Sequence, residues 1–148
     1  MKELLQKLGQ VLFWKIAMKP GRPLAYGKIG NAHYFGLPGN PVAVMVTFYQ
    51  FVRQAMLVMM GQPNPAQIPM LKAVCTSPIR KLKGRTEFQR GILYLNEAGE
   101  WQVKTTGNQS SGVLSSMSQA NCFIVLDEDV GNVDAGTMVQ VQLFEGVM

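Results

Sequence analysis

Between Glu3 and Glu87 the chain has no aspartate or glutamate, although the same interval carries eleven lysines and arginines. No carboxylate pair therefore lies near its basic loops, which leaves general acid–base work and Mg²⁺ binding without a provider there. The single histidine, His33, sits in a hairpin-like stretch away from any serine or cysteine nucleophile pattern, so it reads as structural and no His-based triad is expected. The two cysteines, Cys75 and Cys122, are far apart in strand-like runs and lack metal-type spacing. They fit reduced thiols in a cytoplasmic protein better than a disulfide framework. The most apolar run, residues 42–60, is interrupted by Thr47, Gln50, Arg53 and Gln54, so no membrane span is expected. The opening MKELLQKLGQ lacks the apolar centre and cleavage site of a signal peptide.

What is present is a chain of 148 residues, 47% hydrophobic, with a formal charge of +5. Cations uncompensated over half the chain make a positive field that draws in anions. Aromatics are not interleaved with the basic residues and no nucleic-acid-binding motif is present, which favours a small anionic ligand over nucleic acid.

Leu4, Leu5 and Leu8 share one helical face, with Gly9 as the stop, and VLFWKIA (11–17) reads as a largely buried strand. LAYGKI and AHYFGL, separated by Gly30-Asn31, read as a hairpin. A helix follows over 41–60, with Asn40 as N-cap, Pro41 at its first position and Gly61 as its stop. QPNPAQIP (62–69) has three prolines and marks a domain boundary, giving units 1–65 and 66–148. Beyond it MLKAVCTS, EFQRGILYLN, WQVKTTG, NCFIVLD and TMVQVQLF predict five short strands, a small β-barrel or sandwich. Helix, strand, hairpin and helix do not close an α/β layer, so the first unit reads as the tail of a domain begun earlier. The fold class is thus mixed: the C-terminal part of an α/β domain followed by an all-β domain.

Four clusters carry possible chemistry. In FWKIAMKPGRP, Lys15 lies within an apolar strand and Lys19 at its C-terminal end, where open α/β sheets place ligands; Lys15 alone is equally well an outward edge residue. In FGLPGNP, Gly39 permits close backbone approach, Asn40 caps the helix, and Pro38 and Pro41 stiffen the flanks; by itself this is a rigid, well-capped turn. In RKLKGRTEFQRG, Arg80 to Arg85 read as a solvated hairpin, whereas Arg90 is aimed by the pleat and has the fork geometry to bind an oxyanion. Ser110 and Ser111, in TTGNQSSGVLSS, either donate to an oxyanion or cap the next helix.

Taken in order, FWKIAMKPGRPLAYGKI, FGLPGNPVAVMVTF, GRTEFQRG and GNQSSGVLSSMSQANCFIVL closely resemble the molybdopterin molybdenumtransferase family, MoeA in bacteria with relatives in plants and in gephyrin. The resemblance covers the family's C-terminal part: the end of the molybdopterin-binding α/β domain and the whole β-barrel domain. It implies insertion of molybdenum from molybdate into adenylylated molybdopterin, Mg²⁺-dependent and with release of AMP. It further implies a homodimer, and as possible partners a molybdopterin adenylyltransferase or cofactor-accepting enzymes. By position it makes Lys15, Lys19, Arg90 and Ser111 the catalytic set. Arg22, Pro38, Gly39, Asn40 and Pro41 become substrate-binding, with no metal ligand among them. Arg22 stands where many relatives have lysine, and Ser110 replaces a frequent glycine. The acidic residues for Mg²⁺ and the adenylate are expected in a preceding part, so the chain alone is expected to be inactive. A dimerisation or scaffold module of the same family and a generic anion-binding domain are the competing expectations.

Overall fold

The computed structural model describes residues 7, 9–13, 15–65, 68–110 and 112–144. The expected opening helix over 2–8, Lys7 apart, and the expected site residue Ser111 lie outside the described residues.

The run 11–17 does not form one strand. Its first residues close β1 (Gln10–Phe13), and the next strand, β2 (Met18–Lys19), begins only after Ala17 and joins a different sheet. A register shift between Val11 and Phe13 disturbs the first pairing, and the Ile16 amide turns back to bond the Arg22 carbonyl at 3.0 Å. β1 pairs with β3 (Ala25–Ile29), which forms the expected hairpin with β4 (Ala32–Gly36) across Gly30-Asn31. Gly30 takes φ +57°, which a tight hairpin turn requires.

α1 (Pro41–Met59) begins and ends close to the expected limits, with Pro41 at its first turn and Gly61 at φ +94° beyond its end. Asn40 holds the N-cap position in extended geometry, yet its side chain makes no capping hydrogen bond. Residues Phe48–Val52 form a π turn within the helix, which resets its phase. By length and composition alone this helix could cross a bilayer. Here Val42 and Val46 pack instead with Phe88, Phe123, Met117 and Phe144 of the second unit.

All five strands expected in the second half are present: β5 (Met70–Cys75), β6 (Thr86–Leu95), β7 (Trp101–Thr105), β8 (Cys122–Leu126) and β9 (Met138–Leu143). Hydrogen bonding runs β6-β7-β5-β9-β8 and returns from β8 to β6, so the sheet closes into a five-stranded barrel. Alternate residues point inward, and Ala73, Cys75, Leu93, Val103, Ile124 and Val141 fill the interior. Closure depends on β6 serving two partners, with Gly91 opposite both Thr105 of β7 and Cys122 of β8. A Cβ on Gly91 would sit 3.0 Å from Ile124 and Val103 side-chain carbons and 3.1 Å from Cys122 Sγ, so only hydrogen fits there comfortably.

β2 then adds to the barrel's edge, parallel to β6, with Met18 opposite Thr86 and Lys19 opposite Glu87. A short helix, α2 (Ser115–Ser118), follows the loop after β7.

Candidate functional site: a basic cleft between the two units

The parallel pairing of β2 with β6 decides where the MKPGRP turn sits. Gly21 has φ +111°, and a Cβ there would collide with the Thr47 methyl of α1, so the turn lies flat on the helix. Met18 is buried and Lys19 faces outward. Between this turn, the FGLPGNP loop and the loop after β7 lies a cleft of about 520 Å³. Lys19 and Arg22 form one side of it, and Pro38, Gly39 and Asn40 another. The second unit contributes Arg85, Gln109 and Ser110.

Lys19 does not stand free. Its Nζ lies 3.4 Å from Oε1 and 3.5 Å from Oε2 of Glu87, and Gln89 Nε2 donates to Oε2 at 3.0 Å. Glu87 is 2% exposed while the Lys19 side chain is 49% exposed, so a buried carboxylate anchors an ammonium that still meets the cleft. The anchor fixes the lysine's direction without hiding its charge.

Arg90 is 1% exposed and lies beneath the cleft rather than on its wall. Its Nε donates to Ser116 Oγ at 3.0 Å, and its Nη2 to the carbonyls of Ser110 at 3.1 Å and Asn108 at 3.4 Å. Burial lowers its pKa from the usual guanidinium value, and no carboxylate is in ion-pair range of it among the described residues. Gln109 completes the anchor, accepting from the Arg90 amide at 2.8 Å and donating to the Arg90 carbonyl at 3.1 Å. The loop carrying Ser110 is thus fastened to β6 by the backbone and the side chain of Arg90.

Lys15 opens onto a neighbouring cavity of about 470 Å³ with Lys83. That cavity shares Arg22 and Arg85 with the cleft, so four cations line it and the shared pair joins the two. Pro41 is exposed at the helix start and does not line the cleft. Asn40 does, and its Oδ1 is buried without a hydrogen-bond partner among the described residues. No group of three or more His, Cys, Asp or Glu able to hold a metal occurs among the described residues. Among the described residues the one carboxylate beside the cleft is already committed to Lys19 and Gln89, so these residues do not fit a Mg²⁺ ion.

Two family models account for most of the chain. One described as a probable molybdopterin-binding domain matches residues 1–58, and one described as the MoeA C-terminal region, domain IV, matches 72–144. The chain belongs to the MoeA family. A molybdopterin molybdenumtransferase of Haemophilus influenzae is 46% identical over 147 residues, which is 99% of this chain and 36% of that protein. Gephyrin of Dictyostelium discoideum is 32% identical, covering 96% of this chain and 23% of its own length. Among solved structures, a MoeA protein of Pyrococcus horikoshii OT3 superposes with a TM-score of 0.73 at 31% identity, covering 93% of this chain and 33% of that one. The chain therefore spans about a third of the length of several of the curated relatives it matches.

Three residues of this MoeA-family site were not singled out for it by the sequence. Among the described residues Glu87 is the one acid beside the cleft, and only the long-range β2–β6 pairing reveals it. Gln109 acts through backbone groups of β6, which leave no trace in a residue pattern. Arg85 looked like part of a solvated hairpin, yet it lines both basic cavities. Its place in GRTEFQRG, two residues before Glu87, was the available signal.

Proposed function

We propose that this chain contributes the anion-binding part of a molybdenum-insertion site. Molybdate is the substrate that supplies the metal, and adenylylated molybdopterin the acceptor, with AMP leaving. The observation that carries the reading is the cleft itself: Lys19, Arg22 and Arg85 converge on it from both units, and the one neighbouring acid among the described residues is paired with Lys19. A tetrahedral dianion and a phosphate-bearing pterin are both attracted by that field. The rigid Pro38–Asn40 wall and the anchored 108–110 loop keep donors in place while charge moves, the arrangement that favours transfer. The neighbouring Lys15 cavity extends the same field and suits the phosphate end of the acceptor. Arg90 and Ser111 enter as the loop's support and as a donor at its end.

Mg²⁺ finds no ligand set among the described residues, so the proposal draws its ligands from outside this chain and routes no step through it. The 148-residue chain alone is accordingly proposed to lack turnover. A homodimer is favoured by the apolar residues that α1 leaves outward, with Phe51, Met56, Val58 and Met59 between 42% and 50% exposed. Cys75 and Cys122, both buried and unpaired with each other, accord with a cytoplasmic setting.

Calorimetric titration of molybdate into the chain at low ionic strength tests the reading. Saturable binding is expected, weakened about tenfold by Lys19→Ala and by Arg85→Ala, each removing one charged contact. Binding that ignores both substitutions would sink it. Turnover by the chain with adenylylated molybdopterin, molybdate and Mg²⁺ would overturn the claim of inactivity.

A further inference from the structure

The stretch RKLKGR (80–85), which by residue type reads as a solvated hairpin, contains one lysine that is not solvated. Lys81 is 5% exposed, while Arg80, Leu82 and Lys83 around it are exposed. Its Nζ donates to the carbonyls of Val130 at 2.7 Å, Asp127 at 2.8 Å and Leu82 at 3.4 Å. An ammonium has three hydrogens, and backbone oxygens take all of them here. No carboxylate is in ion-pair range of Lys81 among the described residues. Burying an ammonium is costly, and this complete set of acceptors is what makes it tolerable. The lysine therefore has no donor left for a ligand, although it borders a cavity of about 260 Å³ beside the basic cleft.

What Lys81 holds is the loop around it. Ile79 exchanges both backbone bonds with Val133, at 2.8 and 2.9 Å. The Lys81 amide donates to Asn132 Oδ1 at 3.0 Å, and the Gly84 amide to the Glu128 carbonyl at 2.8 Å. Two residues after Gly84, the Thr86 amide donates to the Ala17 carbonyl at 3.1 Å. Arg85 thus lies between two fastened amides, one tied to the 127–132 segment and one to the residue before β2. It is also the one residue common to the main cleft, the Lys15 cavity and the cavity beside Lys81. A guanidinium in that position binds best when its backbone is already fixed, because freedom lost on binding subtracts from affinity.

We propose that Lys81 is a positioning residue of the anion site: its caged ammonium pins the 80–85 loop to the 127–132 segment and so pre-sets Arg85 for a tetrahedral oxyanion. The inference rests on the anion-binding reading of the cleft. It also accounts for a buried charge where a neutral residue would carry less desolvation cost. A glutamine amide has two hydrogens and cannot satisfy three carbonyls.

The test is calorimetric titration of molybdate into the wild-type chain, Lys81→Met, Arg85→Ala and the double variant, alongside amide exchange at Gly84. Lys81→Met is expected to speed Gly84 exchange about tenfold or more and to weaken molybdate binding about fivefold. In the Arg85→Ala background it should still speed exchange but weaken binding less than about twofold, because the residue it acts through is gone. Faster exchange with unchanged affinity would make Lys81 a purely structural residue and overturn the proposal. An affinity loss undiminished in the Arg85→Ala background overturns it equally. Asn132→Ala, at an exposed position, removes the acceptor of the Lys81 amide and should weaken binding about threefold with the same dependence on Arg85. That variant decides the matter should Lys81→Met fail to fold. If the wild type binds no molybdate, the reading of the cleft falls, and inorganic phosphate takes its place in the same four-variant cycle. Coupling between Lys81 and Arg85 toward phosphate then supports the positioning role by itself, whereas saturable binding of neither anion overturns it.

Discussion

Arg90→Ala separates two roles that residue type alone cannot distinguish: direct ligand of an oxyanion, or internal support of the loop that lines the cleft. The structure gives Arg90 three acceptors: Ser116 Oγ at 3.0 Å, the Ser110 carbonyl at 3.1 Å and the Asn108 carbonyl at 3.4 Å. Two of these are short bonds from a charged donor, worth about 1.5 kcal/mol each, while the longest adds little. Truncation of a side chain that is 1% exposed also leaves a cavity, adding roughly 1–2 kcal/mol. Against this, removing a charge that burial penalises recovers part of the loss, since no carboxylate compensates it among the described residues. The net destabilisation is about 2–3 kcal/mol, or a fall in Tm of roughly 5–10 °C for a domain of this size.

Urea and thermal unfolding followed by circular dichroism measure that loss, and molybdate titration measures the site. Support through the loop predicts both effects together: lowered stability, faster amide exchange at Val113, whose N–H bonds the Ser110 carbonyl at 3.2 Å, and affinity reduced several-fold. Arg90→Lys should recover little, because one ammonium cannot span Ser116 and the Ser110 carbonyl as the fork does. Unchanged Tm with binding abolished would refute the reasoning and make Arg90 a direct ligand.

Glu87→Gln removes the acid beside the cleft and should tighten anion binding several-fold at low salt, an effect that titration in rising NaCl should erase. Gly91→Ala places a methyl within 3.0–3.1 Å of three barrel-core atoms and should destabilise the fold by about 1–3 kcal/mol, read from denaturant midpoints at unchanged m. Burial pushes the Cys122 thiol up to about 12 from 9.0, with backbone hydrogen bonds at Leu93 and Gly91 opposing the rise. Between those values the unfolded chain has lost the proton and the folded one keeps it. Stability should therefore fall as pH rises from 9 to 12, by at most about 1.4 kcal/mol per unit, and Cys122→Ala should flatten that slope. For the same reason the native thiol should react slowly with a disulfide reagent at pH 8, measured by absorbance.

The barrel was legible because each strand declares itself. CFIVL is a short unbroken apolar run, alternation in MVQVQL needs only neighbours two residues apart, and turns such as Asn96–Glu100 bond locally. The hairpin and α1 were legible for similar reasons, from Gly30-Asn31 and from Pro41 and Gly61. The split of VLFWKIA was not, because its cause is not local. The strand breaks off after Phe13, and β2, just beyond the run, pairs with β6 instead, Lys19 meeting Glu87 68 residues later, a partner that nothing in residues 11–19 encodes.

That crossing also explains what the sequence showed of the site and what it hid. Lysines and prolines announce themselves by type, so Lys19, Arg22 and Pro38–Asn40, which line the cleft, could be singled out in advance, whereas the residues that support it could not. Supports are ordinary side chains, Gln109, Ser116 and Glu87, given their roles by distant partners. Arg90 belongs with them: its type suggested a ligand, and its burial and bonds make it a fastening. The acid-free interval itself has a structural meaning on this view. It ends at Glu87, the residue that β2 brings opposite Lys19, so the first carboxylate after the long basic run is the one the cleft uses to aim a cation. Moving that acid a single position along β6 would point it to the other face of the strand and leave Lys19 without its anchor.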